Sequence, residues 1–278
     1  MTDANKSQLG KGTVYDSPYD PGLLFPLSRV ENRASLGLSS DLPFHGEDLW
    51  TCYELSWLDL QGKPCVGIAY FRVPANSPFM IESKSFKLYL NSLNHKNFEN
   101  IKVLTKTLVD DLSKAAGMSV SVSVCDVRDA LTLNGANEKR FMCVDDLPVS
   151  GFEYQPNANL LSLDKAVGGI HEGFLCSHLL RSNCPVTGQP DWGTVFVRYR
   201  GQKINHESLL RYIISFRQCQ DFHEHCVEQI FIDILEKCAC ESLSVYARYT
   251  RRGGLDINPY RATLDWSASA SDIRTSRQ

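Results

Sequence analysis

The spacing of apolar residues predicts a strand hairpin in the first quarter of the chain. Over 49–58 and 63–73, apolar and polar side chains alternate with a period of two, which is typical of half-buried strands. Gly62 lies in the short turn between the two segments. The pattern therefore predicts two antiparallel strands joined by a tight turn.

A helical period follows this hairpin. Apolar residues recur every three or four positions from Glu82 onward and again over 101–115, so we predict two helices, the second ending at Gly117. Residues 119–125 then alternate serine with valine, which indicates a half-buried strand. The segment 140–144 can pair with that strand.

The second half of the chain repeats this order of periods. The predicted strands and helices are, in chain order, strands over 170–181 and 191–200, helices over 207–217 and 221–237, and a strand over 243–250.

Similar lengths of chain separate the strands that flank each predicted helix pair. Val66 and Val120 mark these strands in the first half, and Val195 and Val245 mark them in the second. Two ββααββ units in tandem explain this repetition. We therefore predict an α+β protein with antiparallel sheets, whose domains cover 1–150 and 165–278 and are joined by a polar linker over 151–164.

Composition narrows the class of protein. The 278 residues are 43% hydrophobic and 22% charged, which is enough for a sizeable core, and the net charge of -3 gives no general attraction to nucleic acid. No apolar run approaches the roughly 20 residues that cross a bilayer. Ten scattered cysteines without an export signal favour reduced thiols. We expect a cytoplasmic protein with a small-molecule partner, and neither a membrane nor a nucleic acid partner.

Two basic segments are candidate phosphate sites. Lys84 and Lys87 share a face at the start of the first predicted helix, where backbone N–H groups are also available to an anion. Arg251 and Arg252 precede Gly253, and glycine permits a close approach to a phosphate. A solvated helix face and a basic turn have the same patterns. No Gly-x-Gly-x-x-Gly follows a strand, so a Rossmann dinucleotide site is not predicted.

A thiol and a carboxylate flank the predicted turn in the second half. Cys184 ends one strand segment and Asp191 begins the next, so both side chains can face one cavity, the thiolate as nucleophile and the carboxyl group as acid. A buried apolar cysteine and a turn aspartate are the alternatives. The spacing leaves both interpretations open.

The segment from Cys219 to Cys226 contains two cysteines and two histidines, as a zinc site does. On a helix that begins near Asp221, however, His223 and His225 point in nearly opposite directions, so we expect no metal there. Asp221 with the glutamate three residues later can instead be a capping pair, and His223 can be a core histidine.

Four segments together resemble the long form of the QueF family, the NADPH-dependent 7-cyano-7-deazaguanine reductases. They are ESKSFKLYLNS from Glu82, SNCPVTGQPDWG from Ser182, FHEHCVEQIF from Phe222 and YARYTRRGGLDINP from Tyr246. The resemblance implies two tandem tunnelling-fold (T-fold) domains, no metal, and a place in queuosine biosynthesis, in which a nitrile becomes an aminomethyl group.

The resemblance also implies a role for each site residue. Cys184 would attack the nitrile carbon to give a covalent thioimide, Asp191 would donate the proton, and two molecules of NADPH would supply the two hydrides. The residues implied at the substrate are Ile81, Glu82, Ser83, His223 and Glu224. The residues implied at NADPH are Ser83, Lys84, Arg252 and Gly253.

The implied site residues come from both halves of the chain, so we expect the site to form where two domains or two subunits of a homodimer meet. Two other functions stay open. The Cys/His segment is compatible with a zinc-dependent purine or pterin hydrolase of the same fold. Glu224 and the basic strand end are compatible with a purine-binding module that has no catalytic activity.

Overall fold

The computed structural model describes residues 18–129, 140–266, 273 and 275–278. It contains both strands and helices, as the two periods of apolar residues predict. The architecture is mixed α and β with largely antiparallel strands, as predicted. The chain divides into two compact units. Of the described residues, 18–39, 48–129 and 251–257 belong to the first unit, and nearly all the others, including 151–164, belong to the second.

The described part of the first unit has three α-helices, a three-stranded array and a separate pair of strands. Its elements are β1 (Pro26–Ser28), α1 (Arg29–Ala34), most of β2 (His45–Leu58), β3 (Pro64–Pro74), β4 (Phe79–Ile81), α2 (Ser83–Ser92), α3 (Ile101–Ala116) and β5 (Ser121–Cys125). The strand order is β5-β3-β2, and β1 pairs with β4. The predicted hairpin is confirmed as β2 and β3, with Gly62 at a φ of 80° in the turn.

The serine and valine alternation of β5 has the predicted effect. Val122 and Val124 pack against the core of the first unit, whereas Ser121 and Ser123 are exposed. The strand pairs antiparallel with β3, where Phe71 is opposite Val122 and is fully buried. One face of β5 therefore contributes to the core and the other faces solvent.

The second unit contains the longer strand array. Its elements are β6 (Met142–Cys143), β7 (His171–Ser177), β8 (Arg181–Asn183), β9 (Pro190–Gly201), α4 (His206–Ser215), α5 (His223–Cys238), β10 (Ser242–Tyr249) and most of β11 (Leu255–Ala262). The order is β11-β10-β9-β7-β6, and β8 pairs with β9. Among the described strands of this unit, β6 and β7 form the one parallel strand pair.

The predicted pairing of 140–144 with 119–125 is wrong. Residue Cys143 of β6 pairs with Cys176 of β7, and β5 pairs with β3 instead. The ring of Phe141 lies 5.8 Å from that of Phe174 and 5.0 Å from that of Phe196, so aromatic contacts hold this segment within the second unit.

Other strands also differ from the prediction, since the short β1 and β4 were not predicted. The predicted strand over 170–181 is interrupted after Ser177, because Asp145 accepts hydrogen bonds from the Ser177 hydroxyl (2.6 Å) and the His178 N–H (2.9 Å). Strand β11 was not predicted, because its polar residues obscure the strand period. They are buried and paired: Asn258, for example, accepts a hydrogen bond from the Tyr249 N–H at 3.0 Å.

Each of the two helix pairs, α2 with α3 and α4 with α5, contains the same kind of hydrogen bond. The Tyr89 hydroxyl donates to Asp111 at 2.6 Å, and the Tyr212 hydroxyl donates to Asp233 at 2.6 Å. In each pair a tyrosine of the shorter helix thus bonds to an aspartate of the longer one. No helix in the described part of the chain is long and apolar enough to cross a membrane.

Candidate active site

The hairpin of β8 and β9 positions Cys184 and Asp191. The Cys184 N–H donates to the Gln189 carbonyl (2.9 Å), and the Gly188 N–H donates to the Cys184 carbonyl (3.0 Å), which closes the turn at both ends. Gly188 has a φ of 68°, a left-handed conformation that favours glycine. Ser182 pairs with Asp191 across the hairpin.

Both chemical groups are buried. Cys184 is 9% exposed and Asp191 is 4% exposed. Aspartates are seldom buried unless they are paired or functional, because removing a carboxylate from water costs free energy. Asp191 is therefore not an exposed turn residue, and the thiol and the carboxyl group lie in a protected environment.

Helix α5 places His223 beside Asp191. The His223 Nε2 lies 3.4 Å from the Asp191 Oδ2, and the imidazole stacks on the Tyr249 ring with a centroid distance of 3.9 Å and an interplanar angle of 8°. Neither imidazole nitrogen has a hydrogen bond of good geometry, although both are buried. Since buried polar atoms normally have a partner, these nitrogens are positioned to bond a ligand.

Burial raises the pKa of the Tyr249 hydroxyl well above its ordinary value, so Tyr249 stays neutral at physiological pH. A neutral tyrosine adds no negative charge next to Asp191. Tyr249 thus adds an uncharged aromatic ring to the surroundings of the carboxyl group.

The start of α5 differs from the predicted capping pair. The N-cap is Phe222, which has no capping side chain, and Asp221 instead accepts a hydrogen bond from the Phe222 N–H (2.7 Å) and contacts His225. Glu224 is in the first turn and is 4% exposed. The partial positive charge at a helix N-terminus favours a carboxylate at this position.

The cysteines of this segment interact with each other. A hydrogen bond with Cys226 lowers the pKa of the Cys219 thiol, and the same bond together with burial raises the pKa of Cys226 well above its ordinary value. His225 contacts Asp221, whereas His223 lies beside Asp191. The two imidazoles therefore face different partners and do not converge with the thiols on one point.

A second candidate site is a cleft in the first unit with a volume of about 210 Å³. Lys84 and Lys87 of α2 line it together with Gly253, so of the second basic segment the glycine reaches this cleft. Glu54 and Asn91 also line it, and no pattern in the sequence pointed to these two residues. The cleft therefore combines two ammonium groups with one carboxylate and with amide groups.

Glycine is required where the chain passes this cleft. Gly253 has a φ of 57°, and a Cβ there would lie 3.5 Å from the Lys87 Cδ. Gly254 has a φ of 68°, and its Cβ would lie 2.2 Å from the Glu54 Cδ. Side chains at these positions would strain the backbone and, at the second, collide with Glu54.

The other predicted residues of the first unit have structural contacts. Glu82 is the N-cap of α2, and its two carboxylate oxygens accept hydrogen bonds from the Lys84 N–H and the Ser85 N–H, both at 2.7 Å. Ile81 is buried at the end of β4. Ser83 and Arg252 are partly exposed and are not among the residues that line the cleft.

Comparison with known proteins gives two family matches. Residues 15–124 match the family described as nitrile reductase, 7-cyano-7-deazaguanine-reductase N-term, and residues 190–266 match the family described as QueF-like protein. The second match includes Asp191, His223 and Glu224 but begins after Cys184.

Curated relatives span nearly the whole chain. Proteins named NADPH-dependent 7-cyano-7-deazaguanine reductase are 51% identical in Chromobacterium violaceum (98% of this chain, 96% of the relative) and 52% identical in Bordetella avium (97% of each). One from Chromohalobacter salexigens is 53% identical over 92% of this chain and 91% of its own length. The crystal structure of the archaeosine synthase QueF-Like in the apo form covers 35% of this chain and 95% of its own at 14% identity, with a TM-score of 0.31, which is too low to support an argument.

Proposed function

The chain belongs to the QueF family of 7-cyano-7-deazaguanine reductases, and from that premise we propose that it reduces the nitrile of 7-cyano-7-deazaguanine to an aminomethyl group with NADPH. The observation that carries the proposal is the buried arrangement of Cys184, Asp191 and His223 in the second unit. A purine-binding module without activity has no need of a thiol and a carboxyl group that are both buried on one hairpin.

Cys184 is the proposed nucleophile. Its thiolate sulfur forms a bond to the nitrile carbon, one π bond of the C≡N group breaks, and the nitrogen takes a proton from the carboxyl group of Asp191. The product is a covalent thioimide. The closed turn around Cys184 holds the sulfur in place, which lowers the entropic cost of reaching the transition state.

His223 and Glu224 are proposed to position the substrate and the acid. The His223 Nε2 is close enough to Asp191 to orient its carboxyl group, and stacking on Tyr249 restricts rotation of the imidazole. The carboxylate of Glu224 can accept hydrogen bonds from two neighbouring N–H donors on the guanine-like edge of the substrate.

Lys84, Lys87 and Gly253 are proposed to hold a phosphate of NADPH. Two ammonium groups and an accessible glycine backbone suit an anion, and the cleft volume suits one phosphate-bearing part of the dinucleotide better than the whole molecule. Ser83 and Arg252 would bind from outside the cleft. NADPH, when bound, supplies the hydride that reduces the substrate carbon.

We also propose that the chain consists of two T-fold domains and forms a homodimer. In support of a repeated domain, the shorter helix of each pair has a serine whose hydroxyl donates to the carbonyl of the N-cap residue. The two bonds are Ser85 to Glu82 at 2.7 Å and Ser208 to Asn205 at 2.8 Å. The domain bounds 1–150 and 165–278, the linker 151–164, the cytoplasmic location and the role in queuosine biosynthesis stay predictions.

The test is oxidation of NADPH by the full chain in the presence of 7-cyano-7-deazaguanine. We expect turnover in the wild type and in Cys65→Ala, whose thiol is half-buried in the first unit, and none in Cys184→Ala. Mass spectrometry with the nitrile alone should detect an adduct that Cys184→Ala lacks. A wild type that binds the nitrile without oxidising NADPH would favour the binding module. Activity that needs zinc and is lost to a chelator would favour the hydrolase.

A further inference from the structure

Three metal-ligating side chains converge in the second unit, on residues that the proposed reduction does not use. The thiols of Cys143 and Cys176 and an imidazole nitrogen of His178 all lie within 4.8 Å of one another. The sequence gives little sign of this group, because Cys143 is more than thirty positions from the other two and its strand was predicted to pair elsewhere.

The strand register accounts for this convergence. β6 and β7 pair in parallel with Cys143 opposite Cys176, so the two thiols are on neighbouring strands at the same level of the sheet. The Val144 N–H donates to the Cys176 carbonyl at 3.0 Å, which fixes that register. His178 follows directly after the end of β7 at Ser177, and its imidazole there lies near both thiols.

Surrounding groups hold the three side chains in place. Asp145 accepts hydrogen bonds from the Ser177 hydroxyl and the His178 N–H, so it ties the chain after β6 to the end of β7. The His178 Nδ1 lies 3.0 Å from the Thr194 hydroxyl oxygen, which orients the imidazole. Metal-binding histidines are commonly oriented by such a hydrogen bond.

The donor set and its exposure define the class of ligand. Two thiolates and one imidazole suit a soft or borderline cation such as Zn²⁺, which binds four ligands in a tetrahedral arrangement and can take water as the fourth. Cys143 is exposed, His178 is half-buried and Cys176 is buried, so a cation can enter from solvent and be held against the sheet.

We propose that Cys143, Cys176 and His178 form a binding site for Zn²⁺ that is separate from the residues of nitrile reduction. Sulfur and nitrogen atoms within 4.8 Å of one another need to move only slightly to reach Zn–S distances of about 2.3 Å and Zn–N distances of about 2.0 Å around one ion. The ion joins β6 to β7 and so secures the short parallel strand at the end of the array.

The test uses the reduced, full-length chain, freed of metal by a chelator and titrated with Zn²⁺ against a chromophoric competitor. We expect one Zn²⁺ per chain, and binding at least about tenfold weaker in Cys143→Ser and in His178→Gln, because each loses one of three protein ligands. Cys65→Ser is the control for a thiol outside the group and should bind as the wild type does. With Co²⁺ in place of Zn²⁺, the wild type should show a thiolate-to-cobalt charge-transfer band that Cys143→Ser weakens.

Cys143 is exposed, so its replacement by serine should leave the fold intact, as circular dichroism can check. Cys143→Ser should also keep the NADPH oxidation of the wild type, which separates this site from the proposed reduction. The site is ruled out if the reduced wild type binds no stoichiometric Zn²⁺, or if Cys143→Ser and His178→Gln bind it as tightly as the wild type.

Discussion

In both units a shorter helix is hydrogen-bonded to a longer one, but the two longer helices differ in how much of their surface is buried. Helices α3 and α5 each have 16 residues, and each contributes an aspartate that accepts a hydrogen bond from a tyrosine of the preceding helix. Yet α3 buries four residues, all apolar and at helical spacing, whereas α5 buries eleven. One is an ordinary amphipathic helix, and the other is enclosed on most sides.

The additional burial on α5 includes ionisable groups. His223, Glu224 and Glu228 are each less than 10% exposed, while α3 buries no charged residue. Burying such groups costs free energy unless they are paired or bind a ligand. The comparison indicates that in the second unit the candidate chemistry is at the start of the longer helix, whereas in the first unit it is at the start of the shorter helix, beside Lys84.

The largest effect is expected from Glu228→Ala on α5. Glu228 accepts hydrogen bonds from the fully buried Arg261 at 2.8 and 3.0 Å, and its loss would leave the guanidinium group without its carboxylate. We expect the free energy of unfolding to fall by about 3 to 5 kcal/mol, measured by chemical denaturation. Asp110→Ala on α3, which removes an exposed pair with Lys106, is the matched control and should have little effect. Equal effects of the two substitutions would contradict the contrast between the helices.

A smaller effect is expected from His223→Ala, the first residue of α5. Losing the imidazole beside Asp191 should misplace the acid and lower kcat/KM for the nitrile by about 10²-fold. Ile101→Ala, at the first position of α3, should leave kcat/KM unchanged because Ile101 is exposed. His223→Gln should restore part of the loss if the role is positioning by a hydrogen bond. Loss of folding rather than of turnover in His223→Ala would point to a core histidine.

Lys84→Ala tests the cleft of the first unit. Removing one of two ammonium groups should raise KM for NADPH by about tenfold and change kcat little, because a charged hydrogen bond to the cofactor is lost. Lys102→Ala, in the first turn of α3, is the control for an exposed lysine outside the cleft. An unchanged KM in Lys84→Ala would favour the interpretation of this segment as a solvated helix face.

The smallest effect is expected at Asp233, because partial burial raises the pKa of its carboxyl group. The folded state then holds this proton more tightly than the unfolded state, so ionised Asp233 costs stability as the pH rises from about 4 to neutrality. We expect Asp233→Asn to gain stability relative to the wild type over that interval, measured by denaturation at several pH values. A difference between the two proteins that is constant with pH would exclude burial of the charge as the cause.

The local spacing of apolar residues was enough to predict most of the secondary structure. The hairpin around Gly62, the serine and valine strand, and both helix pairs were predicted because one face of each is apolar and the other polar. Strand β11 was missed for the opposite reason. Asp256, Asn258 and Arg261 are inside rather than outside, and their hydrogen-bond partners belong to other strands and to α5.

The sequence by itself determined most of the secondary structure and the resemblance to the family to which the chain belongs. Only the tertiary structure decided what surrounds each functional group. It shows that Asp191 is buried beside His223, that Glu82 is the N-cap residue of α2, and that Cys143 pairs with Cys176. The reason is physical: a local period records which side of one element is apolar, whereas burial and pairing of a polar group depend on residues that are far away along the chain.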